Sequence, residues 1–310
     1  MDKKLAIVIP AYKTDFLCEV FECIKNQSCQ DFNLYVFDDH SPYDIKGVFN
    51  KYFKEEANRT YYRFDDNLGG KNLAEHWNRC LSQLGTEEWV WLFSDDDLMD
   101  STCVEDFYRF NNKNNIDVLR FPLSIIEFDG QLRKHTPNYP SPLSSSDFFT
   151  MLYTGKIDAR MPEFILRREK IDSIGGYKVF DLAWRSDNAT VIEMAIPNGI
   201  YTIPNSKVYW RSSKKNISGT SDNKTMLRKQ QATIDFMNWV DLFFKANNIN
   251  ISMNKVQLMR ACQSAILKGN KSFSIQAVIK TIHKINFVKS YTDYLLFVAW
   301  SLYDYIRINK

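Results

Sequence analysis

At 310 residues, 45% hydrophobic and 25% charged, the chain has the composition of a globular protein and the length of one large domain with a smaller appendage. Its net charge of +3 is divided unevenly: residues 222–310 hold thirteen Lys and Arg against five Asp and no Glu, a net +8 that leaves −5 for the rest. The six cysteines form no CxxC or other zinc spacing and the four histidines lie far apart, which excludes a His-built metal centre and suits reduced thiols in a cytoplasmic protein.

The start has no signal-peptide layout and runs straight into Leu5–Pro10 (LAIVIP), a continuous apolar run ended by proline, as expected of a strand buried on both faces. Phe16, Leu17, Val20, Phe21 and Ile24 then share one helical face over Asp15–Asn26. Phe32–Phe37 reads as the second strand, ending in Asp38-Asp39, and Thr60–Phe64 as the third. Leu73, Trp77, Leu81 and Leu84 make another helical stripe, followed by the strand Trp89–Phe93, which ends in Ser94-Asp95-Asp96-Asp97. Strands alternating with helices predict a parallel sheet with helices on its faces. In such sheets function gathers beyond the carboxyl ends of the strands. Three separate strands here deliver Pro10-Ala11-Tyr12, Asp38-Asp39 and Asp95–Asp97 to that one edge.

Further along, Val118–Leu123 and Ser124–Phe128 read as strands, with Asp129-Gly130 as a hairpin signal. Pro137–Ser146 is a Pro/Ser-rich loop, and Pro162–Leu166 is a strand leading to a short helix closed by Gly175-Gly176. Ser186–Ala195 is a helix with Asp187 near its start. Arg211–Lys224 is polar and reads as a loop, and helical segments follow, which places a domain boundary at 218/219. The longest late apolar stretch, Tyr294–Tyr303, is too short to span a bilayer and is bracketed by Asp293 and Asp304. No nucleic-acid-binding motif accompanies the basic C-terminal region. Its charge suits an anionic partner, such as the inner face of a membrane, or a solvated helical face.

Three adjacent carboxylates repel one another, and a cation holds such a group together. Oxygen-only ligands favour Mg²⁺ or Mn²⁺ over zinc. The plainer alternative is a solvated acidic turn capping the next helix. For Asp38-Asp39 the alternatives are a contact to a base or ribose and an Asx-turn ahead of Ser41-Pro42. Gly69-Gly70 lacks the surroundings of either a GxxxxGK[ST] or a GxGxxG phosphate loop, so ATPase and Rossmann dehydrogenase readings lose support.

The segments IVIPAYK, VFDDHSP, NLGGKN, WLFSDDDLMD and GGYKVFDLAWRSDNA occur in order. Over roughly residues 4–215 the chain resembles the family 2 inverting glycosyltransferases of GT-A fold, of the bacterial polysaccharide-biosynthesis type. The resemblance implies an α/β, Rossmann-like mixed sheet flanked by helices over 1–218, with a helical C-terminal region over 219–310. It implies transfer of a sugar, with inversion, from a nucleotide-diphosphate sugar (UDP by family habit) to a hydroxyl on a glycan or lipid-linked acceptor, with Mg²⁺ or Mn²⁺ as cofactor. By position, Pro10, Ala11, Tyr12, Asp38, Asp39, Asn67, Gly70, Lys71, Asp95 and Arg211 fall to nucleotide-sugar binding, Asp96 and Asp97 to the metal, and Asp187 to the catalytic base. Ser94 occupies the first position of the family's D-x-D-D, and Ser186-Asp187-Asn188 stands where Glu-Asp or Asp-Asp is usual. Trp210-Arg211 and Lys214-Lys215 suggest a basic loop closing over the diphosphate. The reading from another class is a non-catalytic nucleotide-sugar or glycan-binding subunit on the same fold. A nucleotidyltransferase is disfavoured, because no glycine-rich phosphate loop follows the first strand.

Overall fold

The structure, a computed structural model, describes residues 4–54, 56–110, 115–213, 216–220, 222–267 and 281–308. Leu5–Ala11 (β1), Phe32–Asp38 (β2), Arg59–Arg63 (β3) and Trp89–Leu92 (β4) are joined by the helices Leu17–Lys25 (α1), Ile45–Phe53 (α2) and Leu73–Leu81 (α3). These four strands are mutually parallel where they pair. Then come Leu98–Met99 (β5), Cys103–Phe110 (α4), Val118–Arg120 (β6), Leu123–Ile126 (β7), Leu132–His135 (β8), Ser145–Tyr153 (α5) and Phe164–Arg167 (β9). Arg168–Ser173 (α6), Ser186–Met194 (α7), Ile200–Thr202 (β10) and Val208–Arg211 (β11) complete the sheet region, before Asn223–Ala246 (α8), Lys255–Leu267 (α9) and Tyr291–Ile308 (α10).

Among the described residues the main sheet has the order β10-β6-β9-β4-β1-β2-β3, and a smaller one the order β5-β11-β7-β8. In the main sheet β9 alone runs against its neighbours β4 and β6. Its start therefore lies at the edge where the parallel strands end. Both faces are covered, as the unbroken apolar runs require. Leu5, Ile7 and Ile9 pack with residues of α1, α2 and α4, whereas Ala6 and Val8 pack with those of α3, α5 and α7.

The two strands expected over Val118–Leu123 and Ser124–Phe128 are present as Val118–Arg120 and Leu123–Ile126, with the break earlier than expected. Phe121-Pro122 makes the break, since proline has no N–H for a ladder, so β6 stays in the main sheet and β7 pairs with β11 and β8. Asp129-Gly130 does turn the hairpin, with Gly130 at φ +84. The polar loop expected from Arg211 is corrected at its first residue: Arg211 ends β11 and is buried.

Phe236, Met237, Val240 and Phe244 of α8 and Leu258, Met259 and Cys262 of α9 join the same hydrophobic cluster as Ala6 and Val8 of β1. The sheet and these helices thus share one core. Four of the thirteen basic side chains of residues 222–310 are ion-paired within the protein, as Arg228–Asp181, Lys245–Asp241, Lys255–Asp293 and Arg260–Asp304. Among the described residues no helix is long and apolar enough to cross a membrane.

Candidate active site

The carboxyl ends of β1, β2 and β4 meet, and backbone donors lock their acids together. Asp95 accepts hydrogen bonds from the N–H groups of Tyr12 and Lys13 on one oxygen, both at 3.0 Å. Ser41 Oγ donates to the Tyr12 carbonyl at 2.7 Å, and the Asp39 N–H donates to the Ala11 carbonyl. Pro10, Ala11 and Tyr12 are thereby held between the β2 and β4 acids, with Tyr12 37% exposed at the rim.

Asp38 and Asp39 do different work. Asp38 is fully buried and accepts from Ser41 N–H, Tyr61 OH and Arg63, so its carboxylate braces β2 against β3. Asp39 turns toward the Asn67–Gly70 loop, accepting from Leu68 N–H at 3.0 Å, Gly69 N–H at 2.8 Å and Arg79 at 2.6 Å. Burial nonetheless raises its proton affinity. His76 lies 3.3 Å from Asp39 but is pushed down to about 4 by burial, so the contact joins a neutral imidazole to the carboxylate and is no ion pair. Asn67 accepts from Gly70 N–H at 2.6 Å and closes the loop on itself. Lys71 is exposed, 3.8 Å from Asp66.

In the Asp95–Asp97 turn, burial and the neighbouring Asp96 push Asp95 up to about 6. Asp96 accepts from Ser94 Oγ at 2.6 Å, so the serine that replaces the family's first acid orients the next one. Asp97 is 1% exposed and accepts from the Arg211 N–H at 2.8 Å. Arg211 is equally buried. Its Nε donates to the Asp96 carbonyl, Nη1 to the Phe128 carbonyl and Nη2 to Glu19, and the guanidinium lies 4.1 Å from the Phe16 ring centre. Every arm of that side chain is thus engaged within the protein, tying α1, the aspartate turn and the β7–β8 hairpin together. Lys214 and Lys215 lie outside the described residues.

Asp187 sits in the first turn of α7. One oxygen accepts from the Asn188 N–H at 2.8 Å, and burial raises its proton affinity. Leu182, Ala183 and Arg185 ahead of it all have positive φ, of 60, 51 and 75. Non-glycine residues in that region cost on the order of 1–3 kcal/mol each, so the segment needs external support. It comes from α8: Trp184 Nε1 donates to Thr233 at 3.1 Å, Lys229 lies over the Trp184 ring, and Arg228 pairs with Asp181. From inside, Ser186 Oγ accepts from Phe180 N–H, and Thr190 Oγ accepts from Lys178 N–H.

The sequence reading passed over four side chains around Asp187. Arg185 stands 5.4 Å from the Tyr153 ring centre and 5.1 Å from that of Trp184. The Tyr153 hydroxyl is buried without a hydrogen bond, and burial pushes its pKa up to about 12. Arg160 stacks on Trp210 at 4.8 Å, and it and Arg185 both lower the proton affinity of Asp187. Arg160 reaches this edge because β9 runs antiparallel, with Trp91 Nε1 donating to the Pro162 carbonyl at 2.7 Å. The buried Arg120–Glu163 pair fixes the same loop through the Arg160 N–H. Trp184 and Arg185 were in sight within the AWRSDN segment, whereas Arg160 and Tyr153 carry no motif.

A mixed α/β sheet with an aspartate turn at its carboxyl edge has the architecture of the GT-A sugar transferases. Solved structures bear the fold out. The 1–349 portion of TarS from Staphylococcus aureus, in complex with UDP-GlcNAc, has a TM-score of 0.65 at 15% identity over 97% of this chain and 89% of that one. The mannosyltransferase PcManGT from Pyrobaculum calidifontis, in complex with GDP-Man and Mn²⁺, has a TM-score of 0.54 at 11% identity over 99% of this chain and 88% of that one. Residues 6–175 match glycosyl transferase family 2, and the chain belongs to that family. Among curated relatives, a teichoic acid poly(glycerol phosphate) polymerase of Staphylococcus epidermidis is 28% identical over 36% of this chain and 16% of its own length. The poly(ribitol-phosphate) beta-N-acetylglucosaminyltransferase TarP of S. aureus is 24% identical over 38% of this chain and 36% of its own length.

The aspartate turn fits a divalent cation of the kind the family implies. Asp95 keeps Oδ1, and Asp96 keeps Oδ2, without a hydrogen bond among the described residues. Among those residues no group of three or more His, Cys, Asp or Glu is placed to hold a metal ion by itself. One or two carboxylates completed by phosphate oxygens and water is the usual Mg²⁺ arrangement.

Proposed function

We propose that the chain transfers a sugar, with inversion, from a nucleotide-diphosphate donor, UDP-sugar first among them, to a hydroxyl of a cell-surface polymer or lipid-linked acceptor. Teichoic-acid-type polymers are the favoured acceptor class, from the names of the similar transferases. What supports this reading is a chain of contacts that leads from the aspartate turn toward Asp187. Trp210, next to the Arg211 that anchors Asp97, stacks on Arg160, and Arg160 acts on Asp187.

In this reading Tyr12, Asp39 and the Asn67–Gly70 loop shape the nucleoside end, and Asp95 and Asp96 serve the diphosphate end. A divalent cation held there would neutralise charge on the departing diphosphate. Asp97 and Arg211 build the turn and touch no substrate. Asp187 takes the proton of the acceptor hydroxyl while that oxygen attacks the anomeric carbon and the diphosphate leaves with the bonding electrons. A carboxylate whose proton affinity is raised by burial is a stronger base near neutral pH. Contact of the basic C-terminal region with anionic membrane is part of the proposal, and absence of sedimentation with anionic liposomes at low salt removes it.

The test is turnover of UDP-sugars with Mn²⁺ on a polyol-phosphate polymer, with the product's anomeric configuration read by NMR. An inverted linkage formed by wild type and lost in Asp187→Asn is expected. A retained configuration, or full activity in Asp187→Asn, sinks the mechanism. Nucleotide-sugar binding with no turnover on any acceptor would move the chain to the binding-subunit class.

A further inference from the structure

Two guanidinium groups that act on Asp187 keep donors without a protein partner among the described residues. Arg160 donates from Nη1 to the Ala159 carbonyl at 2.7 Å, and among the described residues its Nε and Nη2 have no protein partner. Arg185 makes one long contact, Nη1 to Asn188 at 3.4 Å, and its Nε is buried with no partner at all. Neither is ion-paired with a carboxylate among those residues, Asp187 included. Arg211 offers the contrast, because its donors are consumed by carbonyls and Glu19.

Each of the two instead lies over aromatic rings, Arg160 over Trp210 and Arg185 over Tyr153 and Trp184. Stacking fixes the plane of a guanidinium while leaving its edge donors free. Half-buried cationic donors left unpaired cost desolvation, which a bound anion would recover. The amino end of α7 adds positive potential at the same spot.

We propose that Arg160 and Arg185 form a phosphate-recognition subsite flanking Asp187. The inference rests on the reading of this edge as the active site. Two substrate groups share the required chemistry, the diphosphate of the donor and a phosphate of a polyol-phosphate acceptor. In either role the arginines fix the reacting partners around Asp187 without forming an ion pair that would disable it as a base.

The test is calorimetric binding, with Mn²⁺ present, of UDP, uridine and glycerol 3-phosphate to wild type, Arg160→Gln, Arg185→Gln and the two Lys variants. Hydrogen bonds to charged groups predict about a tenfold or greater loss of phosphate-ligand affinity in the Gln variants, with partial recovery in the Lys variants and uridine binding unchanged. Loss on UDP assigns the subsite to the donor, and loss confined to glycerol 3-phosphate assigns it to the acceptor. Wild-type affinity for both phosphate ligands in both Gln variants overturns the proposal, and so does an equal loss of uridine binding. If Arg185→Gln fails to fold, Arg160→Gln decides alone. Binding needs no turnover, so an active Asp187→Asn would defeat the base assignment and leave this test intact.

Discussion

The side-chain amide of Asn78 pairs with the backbone of Tyr177 in both directions: its Nδ2 donates to the Tyr177 carbonyl at 2.9 Å, and its Oδ1 accepts the Tyr177 N–H at 2.7 Å. One amide thus imitates a strand partner and fastens α3 to the segment leading to Asp187. Gly176 beside it lies at φ +89, and a Cβ there would stand 2.4 Å from Asn78 Oδ1. Asn78→Ala removes two hydrogen bonds from a half-buried site, for an expected loss of about 1–3 kcal/mol by denaturant unfolding. Gly176→Ala adds both the clash and the φ penalty, and its loss should be at least as large. Turnover should fall in both while uridine binding survives.

Two of the carboxylates raised by burial, Asp187 and Asp95, give the pH dependence. Asp187 must be ionised to accept a proton, and burial lifts its titration above the ordinary aspartate range. The acid limb of kcat/KM should therefore lie above the ordinary aspartate range in wild type. Removal of the base should cost about 10²–10⁴ in kcat with UDP affinity intact. An acid limb at the unperturbed aspartate value would contradict the assignment.

Burial and the neighbouring Asp96 push Asp95 up to about 6, so it stays protonated to higher pH than an exposed aspartate. A folded-state value above the unfolded one stabilises the free protein at low pH, and that stability is lost as pH rises through about 6. A cation at the turn offsets the loss only where Asp95 is ionised. The thermal upshift from Mn²⁺ with UDP should accordingly be larger at pH 7.5 than at pH 5, and absent in Asp96→Ala. Equal upshifts at both pH values would place the metal elsewhere.

Two ion pairs of similar length should differ in worth. Arg120–Glu163, at 2.8 Å, has both side chains fully buried, and breaking it strands a charge in the core. Arg120→Met alone should cost roughly 3–5 kcal/mol. Arg228–Asp181, at 2.6 Å, has both side chains about two-fifths exposed. Arg228→Gln should cost about 0–1 kcal/mol. Urea midpoints decide, and a reversed order would mean that the loop ahead of Asp187 depends on that surface contact.

The fold was legible where local pattern and burial agree. LAIVIP, FNLYVF and WVWLF announce buried parallel strands because both faces demand apolar side chains, and the acids at their ends mark the site edge. Asp38 and Asp39 shared one expected role, as did Asp96 and Asp97, and tertiary contacts separate them: Asp38 serves Tyr61 and Arg63, Asp39 the Asn67–Gly70 loop, Asp96 meets Ser94, and Asp97 the Arg211 amide. Arg211 looked like a flexible loop cation because its neighbours Ser212 and Ser213 are polar, yet its partners lie as far away as Glu19. Arg160 was invisible for a related reason. An antiparallel strand inside a parallel sheet is decided by pairing, and no local sequence property reports it.

The brace that α8 places under Trp184 bears on how such enzymes can be rearranged. A chimera joined near residue 218, where composition changes most clearly, would keep every acid of the nucleotide edge. It would also exchange Thr233, Lys229 and Arg228, the contacts that hold the left-handed run before Asp187 in place. Such hybrids should bind nucleotide and turn over poorly unless the donor helix restores that footing. A chimera that keeps this footing would be joined beyond Ala246, after the whole of α8, so that the first long C-terminal helix travels with Asp187.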